Sequence, residues 1–376
     1  MNSHPSLRVL MSADTIGGVW TYALDLARAL QPFEVEVHLA TMGSLPNREQ
    51  TRQAVAISNL QLHESNYQLE WMDDPWPDVD RAGAWLLRLE QRLKPDVVHL
   101  NHYAHGHLPW TAPTLTVVHS CVLSWWEAVK REPAPRQWQT YFLRVRRGLR
   151  ASNAVVSVSR QQQQYAEQFY GPLANHQVIA NSRDYRLFSP APKEPFVLGM
   201  GRLWDEAKNM EMLAGVAREL PWPLVLAGEG APEGQHFANV EFTGHLPHHK
   251  IADMLGAAAV YAMPACYEPF GLSVLEAGLS GCALVLADIP SLRENWDGAA
   301  IFVSPRHPAD WKRALQKLAW NRSLRQEMAQ RAIRRARSFS FRNFGHRYRQ
   351  CYGQLLQRTG WQEAGFQHTS TRLSNF

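Results

Sequence analysis

NSRDYRLFSPAPKEPFVLGMGRL, residues 181–203, divides the chain. Pro190, Pro192 and Pro195 interrupt any periodic pattern, and the apolar run after them opens a second series of strands. Before the break, short β-branched runs alternate with helical patterns: SLRVLMSAD (6–14), VWTYALDLARALQ (19–31), EVEVHLATM (34–42), AGAWLLRLEQRLK (82–94), PDVVHLN (95–101), TLTVVHS (114–120) and NAVVSVS (153–159). After it come WPLVLAGEG (222–230), NVEFTGHL (239–246), AAVYAMPA (258–265), CALVLAD (282–288) and AAIFVSP (299–305), with helical patterns between. Strands so uniformly apolar are buried on both faces, which calls for parallel sheets covered by helices. The expectation is an α/β chain of two Rossmann-like domains facing across a cleft, with ligands outside the carboxyl ends of the strands.

Composition agrees with two cores. The 376 residues are 45% hydrophobic and 19% charged, more chain than one core usually organises. Cys121, Cys266, Cys282 and Cys351 are scattered, without a disulfide framework or C-x-x-C spacing, and read as core thiols in a reducing compartment. The start, MNSHPSLRVLMSAD, lacks the pattern of a signal peptide, and no run of about 18 apolar residues occurs, so a cytoplasmic protein without a membrane span is expected. The net charge of +5 is uneven: beyond residue 310, Lys and Arg far outnumber Glu327 and Glu363. No recognisable nucleic-acid-binding module accompanies that basic end, and none is expected as a partner.

The chemistry concentrates in a few stretches. YEPFGLSVLEAGLSG, residues 267–281, places Pro269 and Gly271 at a turn before a helix expected over Leu272–Ser280. The amides of Gly271, Leu272 and Ser273 would point free at that helix start, where a phosphate fits. Glu268 and Glu276 flank the turn, and carboxylates buried there need partners such as the hydroxyls of a sugar or ribose. In GRLWDEAKN, residues 201–209, Arg202 and Lys208 could clamp a diphosphate, or simply pair with Asp205 or Glu206. DTIGGVW, residues 14–20, sets Gly17 and Gly18 just before a helix, a second place for close approach to phosphate or sugar. His119 lies at the carboxyl end of its expected strand, facing the cleft.

Other stretches carry weaker signals. HLNHYAHGH, residues 99–107, is rich in imidazole, but no carboxylate or cysteine completes a metal shell. Asp78 and Asp80 spell D-x-D, yet precede a helical pattern and read as helix-capping acids. GEGAPEG, residues 228–234, imitates a dinucleotide fingerprint with the wrong spacing and with Pro232 in the way. Residues 124–150 interleave aromatic and basic side chains, which suits an anionic membrane surface, a carbohydrate acceptor site, or an ordinary amphipathic helix.

Taken together, the E-x7-E stretch around PFGL, GRL followed by KN, the Gly17-Gly18 turn and the VVHS strand end resemble the retaining GT-B-fold glycosyltransferases of family 4. The resemblance runs through VVSVSR, LFSP, LAGEG, FTGHLP and ARSFSF in the family's order. It implies a GT-B architecture: an acceptor domain over 1–185, a nucleotide-sugar donor domain over 186–343, a helix at 344–358 returning to the first domain, and a tail over 359–376. It implies that Glu276 accepts from the donor ribose and Glu268 from the transferred sugar, while amides of Phe270, Gly271, Leu272 and Ser273 meet sugar and phosphate. Arg202 and Lys208 would neutralise the leaving diphosphate without a metal, His119 would orient the sugar, and Gly17 and Gly18 would approach the donor.

The implied activity is a metal-independent retaining hexosyl transfer from a UDP- or GDP-linked sugar to a hydroxyl of a glycan or glycolipid precursor. No cofactor is implied beyond the nucleotide sugar. The partners would be that donor and a carbohydrate or lipid-linked acceptor, with peripheral contact to anionic membrane through 124–150. A sugar-nucleotide epimerase of the same fold and a non-catalytic sugar-nucleotide-binding scaffold are the alternatives. Many relatives have Asn-Gly after the first domain; here the chain reads Asn181-Ser182-Arg183-Asp184.

Overall fold

A computed structural model describes residues 7–231 and 237–358. The first half runs β1 (Leu7–Asp14), α1 (Gly18–Leu30), β2 (Val35–Met42), α2 (Arg48–Val55), β3 (Leu60–His63), α3 (Trp76–Leu93), β4 (Val97–Leu100), β5 (Thr114–Val118), α4 (Val122–Val129), α5 (Gln139–Ala151), β6 (Ala154–Ser157), α6 (Arg160–Tyr170) and β7 (His176–Val178). The second runs β8 (Glu194–Met200), α7 (Met210–Val216), β9 (Leu224–Ala227), β10 (Val240–Gly244), α8 (His248–Ala257), β11 (Ala258–Met263), α9 (Leu272–Leu279), β12 (Ala283–Ala287), α10 (Pro290–Trp296) and β13 (Ala300–Val303). Helices α11 (Pro308–Trp320), α12 (Arg322–Ser338) and α13 (Phe341–Arg358) follow.

All recorded strand pairs are parallel, in a seven-stranded sheet of order β3-β2-β1-β4-β5-β6-β7 and a six-stranded sheet of order β10-β9-β8-β11-β12-β13. Val9 lies opposite Val37 on one side and Val97 on the other. The strand order turns at β1/β4 in the first sheet and at β8/β11 in the second. At such a turn the loops leave neighbouring carboxyl ends in opposite directions and open a crevice. The loops after β1, β8 and β11 are the ones that carry Gly17-Gly18, Arg202 with Lys208, and Glu268 to Gly271.

The short edge strands β3 and β7 are not legible as apolar runs, because their side chains are half-buried or exposed. Helix α3 begins at Trp76, so Asp78 and Asp80 lie inside it rather than capping it: Asp78 accepts from the Gln68 amide at 2.9 Å and pairs with Arg81, while Asp80 pairs with Arg144. Of GEGAPEG, Pro232 and Gly234 lie outside the described residues, as does the tail from 359.

The linker is held as firmly as a core element. Lys193 donates to the carbonyls of Leu255, Gly256 and Ser280 at 3.1, 2.6 and 2.7 Å, where α8 and α9 end and leave carbonyls without helical partners. Helix α13 starts at Phe341 rather than Phe344 and lies on α1 of the first domain. There Phe344 and Tyr348 meet the Tyr22 ring edge-on, and Tyr352 Oη is 2.7 Å from His99 Nδ1. The close crossing is made at Gly345, where an added Cβ would stand 2.1 Å from the Ala29 carbonyl oxygen.

That contact decides a sign. In a free helix Gly345→Ala would stabilise by about 1 kcal/mol. Packed against the Ala29 backbone it should instead destabilise by about 1–3 kcal/mol, read in urea unfolding, because the backbone must move to admit the methyl.

Candidate functional site at the domain cleft

Two helix starts meet across the cleft. Helix α1 begins after Gly17 (φ +78°) and α9 after Gly271 (φ +88°), and neither has a side-chain cap. A Cβ at Gly18 would lie 3.6 Å from Leu272 Cδ1, and one at Gly17 would lie 3.9 Å from Arg202 Nη1. Left-handed glycines turn the chain sharply into each helix, so both dipoles present their positive ends to one space. Asp14 closes β1 beside this space; its Oδ1 accepts from the Ile16 amide at 3.3 Å. Burial raises the Asp14 pKa to about 7, against the pull of the Ile16 amide and Arg202.

The basic residues hold acids of their own domain. Lys208 Nζ is 2.6 Å from Glu268 Oε2, and Glu268 Oε1 accepts from the Gly271 amide at 3.0 Å, so this amide is not free as the sequence suggested. Arg202 pairs with Asp205 at 2.6 Å and lies over the Trp204 ring. Burial pushes the Asp205 carboxyl up, but Arg202, the Ala207 amide and Lys208 outweigh it and hold its pKa below the usual value. The loop carrying Glu268 is pinned from beneath: Ser291 Oγ donates to the Glu268 carbonyl at 2.5 Å and Tyr261 Oη to Ser273 Oγ at 2.8 Å. Phe270 is buried edge-on to Phe339, so its side chain supports the turn.

Glu276 faces a partner the sequence did not supply for it. Its Oε1 is 2.8 Å from Nε of Arg183, whose guanidinium also reaches Asp25 of α1. The Nε–H is not aimed at that oxygen, so the contact is a charge pair rather than a directed hydrogen bond. Burial raises the pKa of both Glu276 and Asp25 against the pull of Arg183.

His119 sits at the end of β5, its ring edge-on to Tyr22 at 4.5 Å. Asn101 Nδ2 donates to the Ser12 carbonyl at 2.7 Å, which turns its Oδ1 toward His119 Nε2 at 2.8 Å. The amide orientation therefore assigns the proton to Nε2 and leaves Nδ1 as an acceptor. Burial lowers the His119 pKa to about 3, so the ring is neutral.

The remaining candidates disperse. His99, His102 and His105 each have separate partners, in Tyr352, Ser12 and the Val79 carbonyl, and among the described residues no cluster of metal-binding side chains forms. The aromatic-basic segment divides into three. Trp125 donates to Asp205 at 3.3 Å and Lys130 pairs with Glu206, both across the cleft. Trp138 and Tyr141 pack edge-on in the first domain. Arg146, Arg147 and Arg150 remain exposed with Leu143 on one face of α5. A hollow of about 470 Å³ is walled by Trp138, Phe142 and Phe169.

Residues 16–186 match the profile described as Glycosyltransferase Family 4, and 194–321 that of Glycosyl transferases group 1. The chain belongs to glycosyltransferase family 4. It is 24% identical over 387 residues to a D-inositol 3-phosphate glycosyltransferase of Nocardia farcinica, covering 86% of this chain and 82% of that one. It is 28% identical over 247 residues to a glycogen synthase of Mycobacterium tuberculosis, covering 57% and 58%. The fold matches sucrose-phosphate synthase from Thermosynechococcus elongatus with a TM-score of 0.79 at 18% identity, over 94% and 100% of the two chains. It matches Anabaena Alr3699/HepE in complex with UDP-glucose with a TM-score of 0.75 at 16% identity, over 93% and 100%. The protein is thus a GT-B glycosyltransferase that takes its sugar from a nucleotide sugar. No helix among the described residues is long and apolar enough to cross a membrane.

Sequence reasoning names Asp205 as a partner for Arg202 but passes over Asp14, Asn101 and Ser291, which line or support the cleft of this family 4 glycosyltransferase. Asp14 alone left a signal, a carboxylate at a strand end directly before Gly17-Gly18. Its raised pKa gives a direction: the carboxyl ionises as pH rises through about 7, placing a negative charge beside the two helix starts. Nucleoside diphosphate affinity should therefore fall between pH 6 and 8 in the native protein relative to Asp14→Asn. Calorimetric titrations across that range check it; parallel profiles would remove Asp14 from the site's charge balance.

Proposed function

We propose that the protein is a metal-independent retaining hexosyltransferase that moves a hexose from a UDP- or GDP-linked sugar to a hydroxyl of a glycan or glycolipid precursor. The observation that carries this reading is the meeting of two uncapped helix starts with Arg202 and Lys208 beside them. Such a space favours a diphosphate, because amides, dipoles and fixed cations all act on the same anion. The amides of Phe270, Leu272 and Ser273, with Gly17 and Gly18 opposite, would take sugar and phosphate, while the Gly271 amide holds Glu268. The solved Anabaena complex makes UDP-glucose the first donor to try.

The chemistry follows from these charges. The bond from the anomeric carbon to the phosphate oxygen breaks while the acceptor oxygen bonds to that carbon on the same face. The leaving phosphate takes the acceptor's proton, so no protein base is required. Lys208 and Arg202 stabilise the negative charge that develops, and this acts chiefly in the transition state. As the diphosphate draws Lys208, Glu268 is released from its pair and accepts from the sugar hydroxyls. Neutral His119 offers Nδ1 as an acceptor near the anomeric carbon without adding a competing charge.

Thermal shifts with UDP, GDP, ADP and their hexose conjugates test the donor site. Saturation at a hundred times Kd stabilises by about 2.7 kcal/mol, so one nucleotide family should stand out and lose its effect in Glu276→Ala. A flat response across the panel would favour the non-catalytic scaffold. With the best donor, Lys208→Ala should release nucleoside diphosphate about 100-fold more slowly or worse while the protein remains folded; near-native release would remove Lys208 from the mechanism.

The exposed Leu143, Arg146, Arg147 and Arg150 support contact with an anionic membrane that carries a lipid-linked acceptor. Co-sedimentation with liposomes should require anionic lipid and weaken with salt. Absence of sedimentation would leave a soluble acceptor site or plain packing of the helix.

A further inference from the structure

Arg183 occupies a position with no slack. Its side chain is 2% exposed, Asp25 is 0% and Glu276 is 10%. One guanidinium nitrogen donates to Asp25 of α1, a second to His248 of α8, and Nε pairs with Glu276 of α9, while Cζ lies 5.1 Å from the centroid of the Phe188 ring. Three elements from two domains therefore share one cation. Asp25 also has Arg28 at 3.3 Å, so its charge is compensated from two sides.

This bears on the donor, given the assignment of Glu276 to the ribose on which the inference rests. Arg183 occupies Oε1 of Glu276 and leaves Oε2 as an acceptor. A ribose that sets its two hydroxyls on the two carboxylate oxygens must displace the cation from Oε1, an unequal exchange unless the cation keeps other partners. Here it does: Asp25 and His248 hold the two terminal nitrogens through directed hydrogen bonds, and only the poorly aimed Nε contact has to be released.

We infer that Arg183 is an internal competitor of the donor ribose for Glu276, and that it sets both nucleotide affinity and the discrimination between ribose and deoxyribose. A nucleotide with its ribose hydroxyls displaces Arg183 from Glu276 and binds more weakly for having done so. A nucleotide lacking them leaves the pair closed and bears no such penalty. The competition therefore compresses the preference for ribose, and its removal widens it.

The test is calorimetric titration of the full chain with the best binder among UDP, GDP and ADP, and with the 2′,3′-dideoxy form of the same nucleotide. Three variants serve: Arg183→Gln; Arg183→Lys, which keeps a cation near Asp25 without the reach of the fork; and Arg183→Gln/Asp25→Asn, which leaves no buried carboxylate stranded on α1 if the single change impairs folding. Each folded variant should bind the ribonucleotide on the order of tenfold more tightly, a difference of about 1.4 kcal/mol, with dideoxynucleotide affinity unchanged. Weaker ribonucleotide binding would make Arg183 a direct ligand contact, and equal shifts for both nucleotides would make it only a structural tie; either overturns the inference. If no nucleotide binds the native protein, the donor-site reading fails first, which the native titration alone reveals.

Discussion

Everything at the cleft depends on the parallel sheets. In a parallel sheet every strand ends on the same edge, so all the connections that can hold a ligand emerge together. Here the loops after β1 and β5 in one sheet and after β8 and β11 in the other reach one space, although their residues lie far apart in the chain. The two helices that start there, α1 and α9, arrive with free positive ends because glycines rather than side-chain caps precede them. Function is built from backbone geometry first, and the charged side chains are added to it.

Electrostatics then fixes which charges are held in reserve. Lys208 and Glu268 neutralise each other at 2.6 Å, and Arg202 leans on Asp205. The first pairing lets Lys208 and Glu268 lie largely buried at bearable free energy, while Arg202 stays half-exposed over a buried Asp205. Arg183 extends the same logic across the domain boundary, tying Asp25, His248 and Glu276 into one network. His119 follows the opposite course: fixed by Asn101 and buried, it stays neutral and contributes a lone pair.

Strands such as β1, β4, β6, β11 and β12 are readable as apolar runs because both their faces are buried, whereas β3 and β7 lie at the sheet edge and lose that pattern. Glu268 and Glu276 stand out locally, since carboxylates flanking a Pro-Phe-Gly corner contradict their surroundings. Their partners do not stand out. Ser291 and Tyr261 look like any core polar residues, and Asp25 looks like one more acid on an amphipathic helix. In residues 124–150 the mixed pattern concealed three environments: a cleft contact at Trp125, a packed core at Tyr141, and an exposed basic face on α5.

By itself, the sequence determined the class of fold, most strands of the two parallel sheets and the family to which the chain belongs. These depend on patterns a few residues long: the burial of a strand, a glycine before a helix, a carboxylate where apolar residues belong. Only the tertiary structure decided which charges meet. Arg183 is 158 residues from Asp25 and Glu268 is 60 from Lys208, and no local pattern encodes such pairings. They exist because domain closure and sheet topology bring distant loops within reach, where the low polarity of the interior makes each unpaired charge too unfavourable to keep.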